Sequence, residues 1–487
     1  MEAPSDAHRC AWRDEAEELR GKLAAALLAI ESLERRVFGP KSEKMPSPEK
    51  ELRRGAPKED AEARRLAALE RRRQRAALRE KLRVQTVTHH LGEDQKLCPR
   101  CGKTVDRPLG EGKTTTMYEY EPGTFVRQKH VQEKLACRCG EHVATADPPR
   151  KVVEGGHYGA GFIAHLCVMK CADSIPLHRL AKQYQRLGIP MSRSTLTDLF
   201  HAAAEKVAPL SARLLARVAA CDIVQADETP LVMQHPHRKG YVWTFLCGDL
   251  IAYRFSASRS GETPRAVLGA STGTLVVDAY TGYNRVTEPD GRTRAGCLAH
   301  VRRKFFEALP TAPVEARRAL DLILDVYRVE HAAKEKGIVR TPEHLALRQT
   351  QGRAAMEALH DWLVAEKDRH LPQGPLGGAI RYATNQWPTL LHFLDDVRIP
   401  VDNNASERAL RVVALGRKNF LFVYDADKGQ NLTGLYSLVA TCEAHDVDPV
   451  AYLQNVMLRV DDYPARRIDD LLPDRWEPPV RVEVDTS

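Results

Sequence analysis

Three acidic residues have the type and setting to do chemistry together: Asp227 in IVQADETP, Asp278 in TLVVDAYTGY and Glu407 in VDNNASERALR. The first two follow short β-branched runs, and the third opens a helix-like segment after an Asp-Asn-Asn cluster. Hard divalent cations such as magnesium or manganese prefer carboxylate oxygens. Two such ions in one site can clamp the attacking and leaving oxygens of a phosphodiester, which points to metal-assisted phosphoryl transfer. Each residue also has a plainer reading. An aspartate after a strand is a common turn former, and Asn404-x-x-Glu407 has the spacing of a capping box. A second chemistry lies in Cys98-Pro-Arg-Cys101-Gly and Cys137-Arg-Cys139-Gly. Two cysteine knuckles can close a tetrahedral structural zinc site, with His142 as an alternative to Cys139 for the fourth ligand.

The elements that must position the carboxylates follow from the hydrophobic pattern. Residues 223–226 predict a strand that delivers Asp227, and residues 241–247 and 250–255 predict two more around a Gly248-Asp249 hairpin. Residues 263–268 suit a connecting helix, and 274–277 a strand ending at Asp278. Three antiparallel strands, a helix and a strand beside the first open a ribonuclease-H-like core, which would bring Asp227 and Asp278 within reach of one metal. The 128 residues between Asp278 and Glu407 read mainly as helices at 321–336, 343–367 and 376–397, an inserted helical subdomain. Arg292, Arg294, Arg302, Arg303 and Lys304 fall near its start with no acid among them, suiting either DNA phosphate or a solvated helix face.

Upstream, Leu19, Leu23, Ala26, Ile30, Leu33 and Val37 form an a/d seam, either a coiled coil for self-association or a helix packed on its own protein. Residues 53–83 hold twelve Lys/Arg against five Asp/Glu, a basic arm or a solvated helix. Residues 117–120 and 125–133 read as strands of a zinc ribbon between the knuckles. Two helical patterns around Gly188-Ile-Pro-Met191 suit a helix-turn-helix that presents Arg193, Ser194 and Thr195 to a major groove, or a hairpin that only packs. The expected architecture is multidomain α+β. Its segments are 1–45 coiled coil, 46–90 basic linker and helix, 91–150 zinc ribbon, 151–215 helix-turn-helix, 216–290 first part of the α/β core, 291–400 helical insertion, 401–445 second part of the core with Glu407, and 446–487 a tail.

The formal net charge of +8 favours an anionic partner, and the eight acids against four bases from Asp461 onward polarise it toward the N-terminal half. No export signal and no membrane-spanning run is visible, so a cytoplasmic, nucleoid-associated protein is expected. Most of the eleven cysteines read as scattered core thiols.

At these residues the sequence resembles bacterial transposases of the insertion-sequence-66 family. The resemblance is carried by Phe38-Gly-Pro-Lys-Ser-Glu-Lys44, Cys-Pro-Arg-Cys101, Ala226-Asp-Glu-Thr229, Val277-Asp-Ala-Tyr-Thr-Gly282, Cys297-Leu-Ala-His-Val-Arg-Arg-Lys-Phe305, Asp402-Asn-Asn-Ala-Ser-Glu-Arg408 and Ile468-Asp-Asp-Leu-Leu-Pro473. It implies an acidic triad of Asp227, Asp278 and Glu407 holding two magnesium or manganese ions, a structural zinc, and a Cys-x₂-His signature formed by Cys297 and His300. It also implies terminal inverted repeats and target DNA as substrates, and companion proteins encoded by the same element. Arg302, Arg303, Lys304, Arg408 and Arg411 are the expected cations for that DNA, the last two sharing one helix face. The competing readings are a catalytically silent, transposase-derived DNA-binding protein or repressor, and a nuclease that cuts without joining.

Overall fold

The computed structural model describes residues 148–478 apart from 290, together with 46–55, 123, 125–132, 134–136, 143–145 and scattered helical positions within 16–30 and 65–77. The chain divides into two compact units, 50–126 and the remainder. In the first, the described positions between 65 and 77 are helical and exposed, as a charged arm requires.

In the second unit, Leu19, Leu23, Leu27 and Ile30 are helical and 52–61% exposed, while Leu33 and Val37 lie outside the described residues. Strands β1 (Lys134–Ala136) and β2 (Val143–Thr145) form an antiparallel pair, Ala136 opposite Val143. The expected strand at 125–133 is absent from 125–132, where the chain forms neither helix nor strand. Residues 117–120 lie outside the described residues.

A helical layer follows: α1 (Ala160–Cys171), α2 (Leu177–Arg186), α3 (Arg193–Lys206) and α4 (Ala208–Ala219). Gly188, at φ +86°, makes the turn after α2 that a side chain would resist. Ser192 caps α3 by accepting the Thr195 N–H at 3.0 Å. The apolar stripe Leu196, Leu199, Phe200, Ala203 and Ala204 is buried, and α3 packs on α1 and on the later helix α11 (Ala426–Ala444).

The central sheet is built from β3 (Ile223–Met233), β4 (Arg238–Cys247), β5 (Leu250–Ser256), β6 (Thr274–Val276) and β7 (Thr293–Ala295), in the order β5-β4-β3-β6-β7. The first three are antiparallel, whereas β6 and β7 run parallel to β3. Gly248, at φ +59°, starts the two-residue turn joining β4 to β5, as the Gly-Asp pair predicts. Helix α5 (Glu262–Leu268) carries the chain across to β6. One face of the sheet is apolar: Val224, Ala226, Trp243, Phe245, Ala252, Leu275 and Val277 form a buried cluster with Val218 of α4 and Leu268 of α5. Each large side chain removed from water there contributes roughly 1.5–3 kcal/mol.

Two differences from the sequence expectation bear on the site. Strand β3 does not end at Asp227 but continues through Pro230 to Met233, because residues 225–233 find a full antiparallel partner in β4. Strand β7 falls inside the stretch assigned to the helical insertion, its Thr-Arg-Ala run being too short to carry a strand signal.

Beyond it come α6 (Leu298–Ala308), α7 (Pro313–Glu335), α8 (Arg353–Glu366) and α9 (Pro375–Leu390), packed α6 on α7 and α9, and α7 on α8. Helix α10 (Asn404–Phe420) lies on β3 and β4, then β8 (Phe422–Val423) pairs with the far end of β3. Helix α11 covers β5, and α12 (Pro449–Met457) packs on α1. The acidic C-terminal segment is docked: Asp469 pairs with Arg213 and Asp474 with Arg217, both cations on α4. Among the described residues no helix is long and apolar enough to cross a membrane. Cys221 and Cys247 form a disulfide, so these two are not the free core thiols expected; Cys167, Cys171, Cys297 and Cys442 are free and buried.

Candidate active site

The parallel pairing of β3 with β6 sets the first two acids. Gln225 is in register with Val276, so Asp227 and Asp278 each lie two residues beyond a matched pair on neighbouring strands. Adjacent strands are about 4.8 Å apart, which brings the two residues side by side. Along β3 the buried Val224 and Ala226 alternate with Gln225 and Asp227 on the opposite face. Asp227 accepts the Glu228 N–H at 2.8 Å and Asp278 the Tyr280 N–H at 2.9 Å. Burial pushes the Asp227 carboxyl up to about 8, with Glu228, Asp278 and Glu407 adding like-charge repulsion.

Glu407 sits in the first turn of α10. Its carboxylate does not cap the helix, contrary to the capping-box alternative. Instead Arg303 Nη2 donates to both oxygens at 3.3 and 3.4 Å, and His300 Nε2 stands 3.8 Å from Oε1. Burial holds His300 below its ordinary value. Among the described residues no trio of His, Cys, Asp or Glu side chains is gathered tightly enough to ligate an ion, and Glu407 is turned toward Arg303.

Asn403, which the sequence reading passed over, joins these parts. It is 1% exposed. Its Nδ2 donates to the Ala226 carbonyl at 2.7 Å, its Oδ1 accepts from Gln225 Nε2 at 3.2 Å, and its N–H donates to Cys297 Sγ at 3.1 Å. One residue thereby ties the strand of Asp227, the loop before α6 and the start of the Glu407 helix. Asp402 is fixed by Tyr327 Oη at 2.9 Å and by Asn404. The Asp-Asn-Asn cluster is a bracket, and Cys297 is its acceptor.

A second unanticipated brace surrounds the aspartates. Glu228 accepts from Tyr283 Oη at 2.7 Å and from Arg259 Nε and Nη2 at 2.8 and 2.6 Å. Arg259 also stacks over the Tyr280 ring at 4.1 Å. Burial raises the Glu228 carboxyl, and the bonds from Tyr283 and Arg259 oppose that rise. Arg294 donates to the Asp278 and Tyr280 carbonyls and to Asn284, locking the loop after β6.

The basic cluster therefore divides. Arg292 is fully buried and clamps the carbonyls of Ala219, Cys221, Asp222 and Thr274 together with Ser271 Oγ. Arg302 is also fully buried, out of reach of a phosphate, which corrects its expected role in DNA contact. Arg303 and Lys304 reach the surface, with side chains 39% and 47% exposed. Arg408 and Arg411 are exposed on α10. Arg193 and Ser194 are exposed at the start of α3 and Thr195 is half-buried, but the Ser194 and Thr195 hydroxyls are bonded to Ser192. Cys98, Cys101, Cys137, Cys139 and His142 lie outside the described residues.

Comparison with known families decides the assignment. The description "Transposase IS66 family" matches residues 155–431, spanning the sheet, the insertion and α10. The chain belongs to the IS66 transposase family. The IS66 C-terminal element matches 437–473, and the zinc-finger binding domain of transposase IS66 matches 95–140, which includes all four cysteines of the knuckles but not His142. Three proteins of Sinorhizobium fredii (strain NBRC 101917 / NGR234), each named only as uncharacterized, are 30% identical to this IS66 chain. They are y4hP (79% of this chain, 74% of the relative), y4jD (79% of each) and y4qI (71% and 68%). Membership makes the chain a transposase by family, an enzyme class that acts on DNA, with a zinc-binding segment before its main domain.

Proposed function

We propose that this chain catalyses metal-dependent cleavage of its element's DNA ends and their transfer into a target, using Asp227, Asp278 and Glu407. The observation that carries this is the registered pair Gln225–Val276, which sets two acids side by side, with Asn403 tying the helix of the third to the same strand. The strand order β5-β4-β3-β6-β7, antiparallel then parallel, supports a ribonuclease-H-like core.

The residues fit divalent cations. The three carboxylates are of the right donor type and near enough for Asp278 and Glu407 to act on Asp227, whose carboxyl is raised to about 8 by burial and acidic neighbours, a cost that a cation would offset. Asp227, Asp278 and Glu407 would hold two magnesium or manganese ions. When bound, these supply charge stabilisation for the attacking and leaving oxygens of an in-line displacement. The chain's own contribution is positional. Strand register fixes the two aspartates, Arg294 and Glu228 brace their loops, and Arg303 keeps Glu407 paired until a DNA phosphate competes for the guanidinium. Exposed Arg408 and Arg411 would seat phosphates beside the scissile bond.

Water attack at the element's end frees a 3′-hydroxyl, which then attacks a target phosphodiester. Helices α2 and α3 would serve as the helix-turn-helix, the zinc-binding segment would help bind terminal repeats, and the exposed seam of Leu19, Leu23 and Ile30 would pair protomers. The test is cleavage of labelled DNA carrying the element's ends, with magnesium, by wild type and by Asp227→Asn, Asp278→Asn and Glu407→Gln. All three variants should lose cleavage while keeping end binding. A variant cleaving at the wild-type rate would remove that residue from the triad.

A further inference from the structure

Helix α10 leads away from the triad, and its outward face is not that of an ordinary solvated helix. Arg408, Arg411, Leu415 and Lys418 are all exposed and recur at spacings of three, four and three, so they form one stripe beginning next to Glu407. The stripe ends at an apolar tip. Leu421, at φ +65°, reverses the chain, and Leu421, Phe422 and Tyr424 are 63%, 44% and 57% exposed.

The tip is held firmly. Strand β8 pairs with Val232 and Met233 of β3, Gln234 N–H donates to the Val423 carbonyl at 2.9 Å, and His235 N–H donates to the Tyr424 carbonyl at 2.7 Å. The His235 ring packs on Tyr424 with centroids 4.6 Å apart. His237 of the same β3–β4 turn and Arg238 and Lys239 at the start of β4 are exposed to solvent. Among the described residues, Arg238, Lys239, Arg408, Arg411 and Lys418 have no salt bridge or side-chain hydrogen bond. Three of the nearby acids are Asp425, which caps α11 by accepting the Lys428 N–H, Glu205, which pairs with Lys428, and Asp198, which is exposed and shares a pocket with one side of Tyr424.

An exposed apolar patch alone would suit many partners. A rigid aromatic tip flanked by unpaired cations, and reached by a cationic track from the triad, selects a polyanion whose monomers carry flat apolar rings. We infer that the α10 stripe and the Phe422–Tyr424 tip seat one DNA strand flanking the reacting phosphate, with unpaired bases stacked on the tip. From Glu407 to Leu421 the helix rises about 21 Å at 1.5 Å per residue. At the roughly 3.4 Å per nucleotide of a stacked, duplex-like strand that is about six nucleotides from the triad, and fewer for a more extended strand. The track offers phosphate contacts along this length and the tip offers stacking, the two components of single-strand binding. This inference rests on the DNA-acting reading above and adds a subsite to it.

The test uses the full chain and two probes of arbitrary sequence: a 20-nucleotide strand containing 5-iodouracil, and the blunt duplex of the same sequence. On irradiation the single strand should cross-link to Phe422 or Tyr424. The pair Phe422→Ala/Tyr424→Ala, both surface positions, should weaken single-strand binding about tenfold and duplex binding less than twofold. Arg411→Glu and Lys418→Glu should weaken both probes and make the salt dependence shallower. Unchanged single-strand affinity in the tip variant, or cross-links confined to other segments, would overturn the inference and leave this face to a protein partner. The parent reading fails separately: loss of cleavage in Asp227→Asn with an unaffected tip variant removes the subsite alone. A wild type that cross-links at the tip yet never cleaves removes the reading and keeps the subsite.

Discussion

Replacing Asn403 by leucine keeps the branched outline of the side chain, at a larger volume, and deletes both side-chain hydrogen bonds of the bracket. The Ala226 carbonyl, on a residue 1% exposed, loses its 2.7 Å partner, and Gln225 Nε2 loses its 3.2 Å partner. An unsatisfied buried acceptor costs about 1–3 kcal/mol. The Gln225 amide keeps a weaker acceptor in the Asp402 carbonyl at 3.4 Å, so its loss adds roughly 1 kcal/mol at most. The expected destabilisation is about 1–4 kcal/mol. Urea unfolding followed by tryptophan fluorescence reads this out, because Trp243 is fully buried in β4 beside β3. The Asn403 N–H to Cys297 Sγ bond uses the backbone donor of Asn403 and survives the change. Cleavage should therefore fall further than the folded fraction does, since Glu407 loses its tie to the strand of Asp227. A stability change under about 0.5 kcal/mol with full cleavage would show that the bracket positions nothing.

Three other outcomes follow from the same structure. Arg292→Met should destabilise the sheet by about 3–5 kcal/mol in thermal unfolding, because four backbone carbonyls lose a buried donor, while salt-dependent DNA affinity stays unchanged. Burial lowers the Lys170 ammonium from 10.5 to about 8, beneath the Phe420 ring at 3.9 Å. A lysine depressed in the folded state carries its full penalty below pH 8 and sheds it as pH rises toward 10.5. Stability should thus climb across that window, and Lys170→Met should remove the slope and add up to about 3 kcal/mol at pH 7. Purified chain should contain near one zinc by metal analysis, and Cys101→Ser should lose it; a zinc-free wild type would remove the knuckles as a metal site.

Much of the sheet was legible because its strands carry local signals. The Gly248-Asp249 turn and the β-branched runs around it locate β4 and β5, and the Thr274 run locates β6. What escaped was set by partners distant in sequence. Asp-Glu-Thr-Pro looks like a turn, yet β4 supplies a pairing edge that keeps β3 extended through Pro230. Arg292 and Arg302 look like surface charges, and burial of a guanidinium depends on carbonyls that only the fold assembles, as the Arg292 clamp does. Of the candidate site, the acids were visible as residue types in suggestive settings. Asn403 was not, since its hydrogen bonds reach 106 residues back to Cys297 and 177 back to Ala226. The Cys297 signature acquires a physical role through that contact.

The most direct measurement is a joining assay in which pre-cleaved element-end DNA with a free 3′-hydroxyl is incubated with supercoiled target, magnesium and purified chain. Wild type should give covalently joined product, and Asp227→Asn at least about a thousandfold less at equal end binding. Joined product formed equally well by Asp227→Asn, or nicked target without any joining by the wild type, would contradict it.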